Sequence, residues 1–191
     1  TIVSNKVEIA PQIGGTSMKI WKRFLALGLV TIITAMMFVG CGSSDISEGV
    51  AKNDYPITIN GVTLNSQPTG VAVLSQNIAD VILTGGFEAT LKAKSEDCTQ
   101  EDLSILPNLT IDDVQEMKNL GVTLVLVDAA PTEQQTAALE AQGIQVLAIS
   151  PAKSRDDCKR LYREVGSAMV GGNTGYTKGE KAWDNVFYTL D

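Results

Sequence analysis

The side chains best placed to bind a ligand are polar residues that follow two apolar runs. Asp128 comes directly after Gly121-Val-Thr-Leu-Val-Leu-Val127, and Ser150 ends the run that begins at Gly143. Both runs are mostly apolar and rich in β-branched residues, the composition of a strand buried on both faces. In parallel sheets, ligands lie beyond the carboxyl ends of the strands. The loops Asp128-Ala129-Ala130 and Ser150-Pro151-Ala152 are therefore the first candidates for a functional site.

The composition excludes several kinds of chemistry. The chain has no histidine, so Ser-His-Asp catalysis and histidine-ligated zinc are excluded. None of its three cysteines forms a C-x-x-C pair, and the net charge of −7 argues against a nucleic-acid partner. The chain also lacks the G-x-G-x-x-G, P-loop and G-x-S-x-G motifs. We expect no catalysis and no cofactor, with an enzyme on a doubly wound sheet as the competing class.

The segment between the two apolar runs predicts a helix over residues 131–142. It is rich in helix formers, with Pro131 suited to a first turn and Gly143 to the position after the last. Strand, helix and strand in about thirty residues predict a right-handed βαβ unit with parallel strands.

The remaining patterns add further elements around this unit. Asn60-Gly61 between two short alternating segments predicts a β-hairpin, whose Ile57, Ile59, Val62 and Leu64 would lie against the domain. A core strand is predicted at 71–74, followed by a helix at 75–84 that Ser75 or Asn77 caps and Gly85-Gly86 ends. A short strand at 90–94 and a polar loop at 95–108 come next, and then a helix at 110–120 with Asp112 and Asp113 in its first turn. The last two predicted elements are a helix at 155–170 capped by Ser154 and an amphipathic helix at 177–190. In the helix predicted at 155–170, one face carries Cys158, Leu161, Val165 and Met169.

The first part of the chain carries an export pattern. Lys19, Lys22 and Arg23 precede an uncharged run over 24–39, which ends at Gly40-Cys41. This predicts a signal peptide over 18–41 that resembles the lipobox of bacterial lipoproteins, with Phe38 where leucine is usual. Residues 1–17 would be an unstructured extension and 42–54 a flexible tether. The alternative is an uncleaved membrane anchor.

The order of the later motifs resembles one family, the solute-binding lipoproteins of the ABC importers for iron-siderophores, haem and cobalamin. The matching pieces lie between residues 55 and 146: Tyr55-Pro-Ile-Thr-Ile59, Gly61-Val-Thr-Leu64, Pro68-Thr-Gly-Val-Ala-Val-Leu-Ser75, Asn77-Ile-Ala-Asp80, Ser95-Glu-Asp-Cys98, Leu106-Pro-Asn108, the stretch 113–127, and Leu139-Glu-Ala-Gln-Gly-Ile-Gln-Val146. Gly70 replaces the family's usual arginine, and Gly121-Val-Thr123 its usual Lys-Pro-Asp.

The resemblance implies an α/β fold: a Rossmann-like lobe at 55–172 with a mostly parallel sheet, flanking helices and an N-terminal β-hairpin. Residues 173–191 would begin the long interlobe helix, and the second lobe would be absent. Cys41 would be lipidated, holding the exported protein on the outer face of the cytoplasmic membrane. The implied function is capture of a metal chelate for an ABC importer; the alternative is a truncated surface lipoprotein with a structural or interaction role and no ligand.

The resemblance also implies particular site residues. Those facing the ligand would come from 75–77, the 88–98 loop, 128–130 and 150–152, and we select Ser75, Gln76, Asn77, Asp97, Asp128, Ala129 and Pro151. Helix capping is the alternative role for Ser75 and Asn77, and turn formation for Asp128. Permease docking would fall near Gln115, with Asp112, Asp113 and Glu116 as the acidic residues.

Two questions of site chemistry stay open at this point. The predicted loops hold no arginine or tyrosine, so their neutral, hydrogen-bonding character suits a large amphipathic ligand such as a corrinoid, or a chelate read mainly by the absent lobe. An exported protein permits a Cys98–Cys158 disulfide, but a buried thiol at Cys158 fits its helix equally well.

Overall fold

The computed structural model describes residues 54–189, and the predicted signal peptide, the predicted lipidation site at Cys41 and the predicted tether up to residue 53 lie outside that range. Within it the strands and helices, in chain order, are β1 (Ile57–Ile59), β2 (Val62–Leu64), β3 (Val71–Val73), α1 (Gln76–Gly85), β4 (Leu91–Lys94), α2 (Val114–Asn119), β5 (Leu124–Val127), α3 (Glu133–Glu140), β6 (Gln145–Ala148), α4 (Arg155–Val170) and α5 (Gly172–Tyr188). No helix in this range is both long and apolar enough to cross a bilayer.

The sheet confirms the predicted α/β class. Four strands run parallel in the order β4-β3-β5-β6, and β3 and β5 are buried along their whole length. The second apolar run is covered on both faces but less completely than the first. Leu147 and Ile149 join the cluster on one face and Ile144 the cluster on the other, whereas Val146 and Ala148 of the edge strand β6 are only partly buried.

Two helical layers cover the two faces of the sheet. On one face, α1, α4 and α5 pack on Val71, Val73, Leu124, Leu126 and Leu147. On the other face, Met117 of α2 and Leu139 of α3 pack on Ala72, Val125 and Val127. Strand residues alternate between the faces, so each layer has its own apolar cluster.

The β1–β2 hairpin forms as predicted, with its turn at Asn60 and Gly61. Both turn residues have positive φ, 49° and 83°, the geometry for which Asn-Gly is favoured. The Asn60 amide donates to the carbonyl oxygen of Ala148 over 3.0 Å, and the Gln145 amide donates to that of Thr63 over 2.9 Å. The hairpin is thereby fastened along β6.

Asp54, the last residue of the predicted tether, is buried in the folded part. Its carbonyl oxygen accepts the N–H of Gly172 over 2.8 Å, and its Oδ1 accepts the N–H of Asn173 over 3.2 Å. The folded part therefore extends back to Asp54, the first described residue, which is hydrogen-bonded to the start of α5.

Three helices begin at residues other than those predicted. The helix expected from residue 110 begins only at Val114, because the Asp113 carboxylate accepts the N–H and hydroxyl of Thr110 over 2.7 Å each and closes a turn. Asp112 and Asp113 therefore precede the first turn. Pro131 also lies outside its helix, because Thr132 is the N-cap and forms a capping box with Gln135. The last helix begins earlier, at Gly172.

The helices α4 and α5 cross with their backbones in contact. A Cβ on Gly166 would lie 2.3 Å from the carbonyl oxygen of Gly175, and one on Gly179 would lie 2.1 Å from that of Tyr162. Only glycine permits this approach. Beside the crossing, Glu180 pairs with Lys159 over 2.8 Å and also with Arg163.

Candidate functional site

The carboxyl ends of the four parallel strands form one edge, which we call the carboxyl edge. It is defined by the last strand residues Val73, Lys94, Val127 and Ala148. The loops that leave this edge carry the predicted ligand-binding residues Ser75, Gln76, Asn77, Asp97, Asp128, Ala129 and Pro151. The parallel topology therefore brings these seven positions to one edge, where ligands of such sheets are bound.

Ser75 and Asp128 are joined at the centre of this edge. Ser75 is buried, its Oγ donates to Oδ2 of Asp128 over 3.1 Å, and it accepts the N–H of Ile78 over 3.5 Å as the N-cap of α1. Asp128 is half-buried. The prediction that Ser75 caps the helix is confirmed, and the same hydroxyl also donates a hydrogen bond to the Asp128 carboxylate.

The other predicted residues lie outward from this pair. Gln76, Asn77, Asp97 and Ala129 are exposed, and Pro151 is partly buried. Asn77 lies inside α1 and does not cap it. Within residues 54–189 the side chains of Asn77 and Asp97 make no hydrogen bond, so their polar atoms face solvent.

Part of the loop expected at this edge lies at the opposite one. The short 3-10 helix Glu88–Thr90 precedes β4, so it belongs to the amino end of the strands. Only the residues after Lys94 reach the carboxyl edge. There the N–H of Ser95 donates to the carbonyl oxygen of Val73 over 2.9 Å, which holds the loop against β3.

Lys94 is a functional candidate that the sequence did not indicate. It is the last residue of β4, and only 7% of its surface is exposed. Its Nζ donates to Oδ1 of Asn108 over 2.7 Å and to the carbonyl oxygen of Ser95 over 3.4 Å. In the sequence, apolar residues alternate with lysines from Leu91 to Lys94, a pattern that predicts both lysines on the solvent face of the strand. A register shift between β3 and β4 breaks that alternation.

Both cysteines of the described region are free, so the Cys98–Cys158 disulfide alternative is wrong. Cys98 is fully buried, with its Sγ 3.2 Å from Oγ of Ser95 and 3.7 Å from the carbonyl oxygen of Val73. Cys158 is partly exposed on α4. The residues that the structure describes contain no cluster of three histidine, cysteine or acidic side chains able to hold a metal ion.

The predicted docking residues surround the start of α2. Asp112 Oδ1 accepts from the Gln135 amide over 3.0 Å, beside a shallow cavity of about 280 Å³. The hydrogen bonds from Thr110 lower the pKa of the Asp113 carboxyl. Glu116 and the uncharged Gln115 are both exposed. Asp112 and Asp113 thus take part in local hydrogen bonds, while Glu116 points to solvent.

A second cavity, of about 390 Å³, lies between the hairpin turn and the helices α4 and α5. Arg160, Arg163 and Glu164 of α4 line it together with Tyr176 of α5. Its cations are already paired, since Arg160 contacts Glu164 over 2.8 Å and Arg163 contacts Glu180. None of the predicted site residues lines this cavity.

Comparison with known proteins finds similarity in structure alone. Neither a family model nor a curated protein sequence matches the chain. A periplasmic haem-binding protein from Pseudomonas aeruginosa aligns with a TM-score of 0.53 at 14% identity, over 64% of this chain and 44% of that one. A possible iron-binding (periplasmic solute-binding) protein from Staphylococcus epidermidis gives 0.53 at 13% identity, over 66% and 50%.

A periplasmic haem-binding protein from Roseiflexus sp. gives a TM-score of 0.52 at 20% identity, over 66% of this chain and 48% of that one. The chain thus spans at most half the length of these three proteins. The likeness confirms the fold that the sequence resemblance implied, an α/β lobe with a parallel sheet like that in part of each of these three proteins.

Proposed function

We propose that this chain is one lobe of a solute-binding lipoprotein that captures a metal chelate, such as an iron-siderophore, haem or cobalamin, for an ABC importer. The observation that carries the proposal is the carboxyl edge, where Ser75 holds the Asp128 carboxylate and exposed polar residues surround the pair. An edge of this kind offers a ligand a few oriented polar groups of the protein together with a broad, solvent-facing surface.

The identity of the structural neighbours supports the ligand class. All three proteins described above are named as haem-binding or iron-binding proteins of the periplasm. They are binding proteins, which supports a role without catalysis. Consistent with that, the chain has no histidine, so the Ser75–Asp128 pair cannot form a Ser-His-Asp triad.

The proposal includes an export route through Cys41. A diacylated Cys41 would anchor the protein to the outer face of the cytoplasmic membrane, because two acyl chains hold where one is marginal. Replacing Cys41 by alanine should release the protein from the membrane fraction. If the C41A variant stays membrane-bound, the segment is an uncleaved anchor and the lipoprotein assignment is wrong.

The proposal also assigns permease docking to Asp112, Asp113 and Glu116. Of these, Glu116 is the exposed carboxylate without a hydrogen bond in the described region, so it is the one able to meet a basic pocket at once. Glu116→Gln should weaken stimulation of the importer's ATPase and leave chelate binding unchanged. If the Glu116→Gln variant and the unchanged protein stimulate the importer's ATPase equally, the assignment of Glu116 to docking is wrong.

Tryptophan fluorescence provides the direct test of chelate binding. Trp183 of α5 lies 5.7 Å from the Tyr162 ring and 6.1 Å from the Phe187 ring, so it is held in the fold. In the full chain carrying Trp21→Phe, purified in mild detergent, it is the only tryptophan. Titration with cyanocobalamin, haemin and several ferric siderophores should give saturable quenching by one of them at micromolar concentration or below.

A matched pair of variants localises the binding. Asn77→Ala removes an exposed amide at the carboxyl edge, and Asn65→Ala removes an exposed amide before β3, at the other end of the strands. Binding should weaken only in the Asn77 variant. Absence of quenching by every chelate would contradict the proposal for this lobe and favour the structural or interaction role.

A further inference from the structure

We infer that Lys94 receives a carboxylate of the bound chelate, so that the ligand is one with free carboxylate groups and not an uncharged compound. The inference rests on the proposed function, since it places Lys94 in the same site. It also replaces the sequence-based expectation of a neutral binding surface, because Lys94 places a positively charged side chain at the carboxyl edge.

The first observation is the state of the lysine itself. Lys94 is a cation with 7% of its surface exposed, and within residues 54–189 it forms no ion pair. Its two hydrogen bonds go to neutral oxygens, Asn108 Oδ1 and the Ser95 carbonyl. An ammonium group has three donors and is costly to bury without a negative partner. One donor of the ammonium is therefore unused by the described residues, and no described carboxylate compensates its charge.

The second observation is the position of the lysine. Lys94 ends β4 at the carboxyl edge, and its main chain is fixed on both sides. Its N–H donates to the carbonyl oxygen of Pro107 over 3.0 Å, and its own carbonyl accepts the N–H of Leu109 over 2.8 Å. The side chain is oriented in turn by Asn108. A cation held in this way loses little entropy when it binds an anion, which favours tight and directional recognition.

A third observation is the contrast with Lys92, two residues earlier on the same strand. Lys92 is exposed, and its ammonium is hydrated without any partner being required. Both residues are lysines of one strand, but only the one at the carboxyl edge is buried. Lys92 is therefore the matched control for the loss of one positive charge near the site.

The test compares a ligand with and without its carboxylates. Haemin carries two propionates and haemin dimethyl ester carries none. The full chain in mild detergent should bind haemin about tenfold or more tightly than the ester, the range of a charge-assisted hydrogen bond. Lys94→Met should abolish that preference by weakening haemin alone, whereas Lys92→Met should preserve it.

A second variant keeps the lysine and changes its partner. Asn108→Asp places a carboxylate of the protein itself on the Lys94 ammonium, so it should reduce haemin binding without reducing that of the ester. This variant guards against misfolding of the Lys94 variant, because an internal ion pair preserves the local contacts. Thermal unfolding of the Asn108 variant should match that of the unchanged chain or rise above it.

The outcomes separate the two proposals. If the unchanged chain binds haemin and the ester equally, or if Lys94→Met weakens both equally, Lys94 has a structural role and the inference is overturned. Binding of uncharged chelates alone would also overturn it and leave solute binding intact. If the unchanged chain binds no chelate of the panel used above, both proposals fall together.

Discussion

The two edges of the parallel sheet differ in how closely main chain meets main chain. At the amino edge, before β3, the carbonyl oxygen of Gly70 accepts the N–H groups of Thr123 over 2.8 Å and Leu124 over 3.2 Å, and there is no room for a Cβ on Gly70. At the carboxyl edge, main-chain hydrogen bonds such as that from the N–H of Ser95 to the carbonyl oxygen of Val73 are joined by side-chain contacts, Ser75 with Asp128 and Lys94 with Asn108. The exposed side chains of the carboxyl edge can therefore vary for a ligand with a smaller loss of stability than a substitution at Gly70.

The largest effect is expected at the amino edge, from Gly70→Ala. The added Cβ would lie 2.2 Å from the carbonyl oxygen of Gly121, a main-chain atom that cannot move aside alone. We expect a loss of about 2–3 kcal/mol in the free energy of unfolding, the upper part of the usual range for overpacking. Chemical denaturation followed by circular dichroism measures it.

The matched variant at the carboxyl edge is Asn77→Ala, which changes an exposed residue of α1. Its unfolding free energy should stay within about 0.5 kcal/mol of that of the unchanged chain. If both variants unfold alike, the division of roles between the edges is wrong.

An intermediate effect is expected from Ser75→Ala. The variant loses the N-cap acceptor of α1 and leaves the half-buried Asp128 without its hydroxyl donor. We expect a loss of about 1–2 kcal/mol in stability. A double-mutant cycle with Asp128→Asn isolates the contact between the two side chains, and a coupling energy near zero would show that only the cap matters.

A smaller effect is expected from titration of Tyr55, which lies where the chain enters the folded part. Burial raises its pKa from 10.0 to about 12, and the charge of Asp54 adds to the shift. The folded state therefore retains the phenol proton after the unfolded state has lost it, so stability should fall as the pH rises from 10 to 12. In Tyr55→Phe this decline should be shallower, as measured by thermal unfolding across the alkaline range.

The smallest effect is expected at the exposed Asp113, near the start of α2. The hydrogen bonds from Thr110 lower the pKa of the Asp113 carboxyl below its usual value of 3.8. The contribution of Asp113 to the stability of the folded state is therefore present above that pH and is lost as the pH falls through the lowered pKa. Asp113→Asn should remove this slight acid dependence. A dependence on pH as steep as that expected for Tyr55 would mean that the start of α2 is less solvated than the structure shows.

The sequence predicts those parts of the fold that depend on local pattern. The apolar run ending at Val127, the Asn-Gly turn and the cap at Ser75 each depend on a few neighbouring residues, and all three form as expected. Where a side chain competes with the helix, the prediction of the boundary is wrong. Asp113 binds Thr110 and thereby delays the start of α2, a contact that helix propensity does not include.

The sequence predicts where the residues of the candidate site lie in the fold, but only part of the chemistry at that edge. The rule that strand ends share one edge placed Ser75 and Asp128 together, although 53 positions separate them. Lys94 was missed because its burial depends on a register shift in β4 and on Asn108, 14 positions later. Such a contact is set by how separate segments pair, and the pattern of a single strand cannot reveal it.

The fastening of the hairpin has a consequence for the order in which the protein forms. The hairpin residue Asn60 contacts Ala148 and Glu164, 88 and 104 positions later, and Gln67 contacts Met169. A two-stranded hairpin is marginally stable alone, and a growing chain presents its early segments first. The hairpin is thus synthesised before its own binding surface exists, and we expect it to dock last. Pulsed hydrogen exchange during refolding should protect Val125 of β5 before Ile59 of β1; the reverse order would show that the hairpin nucleates the fold.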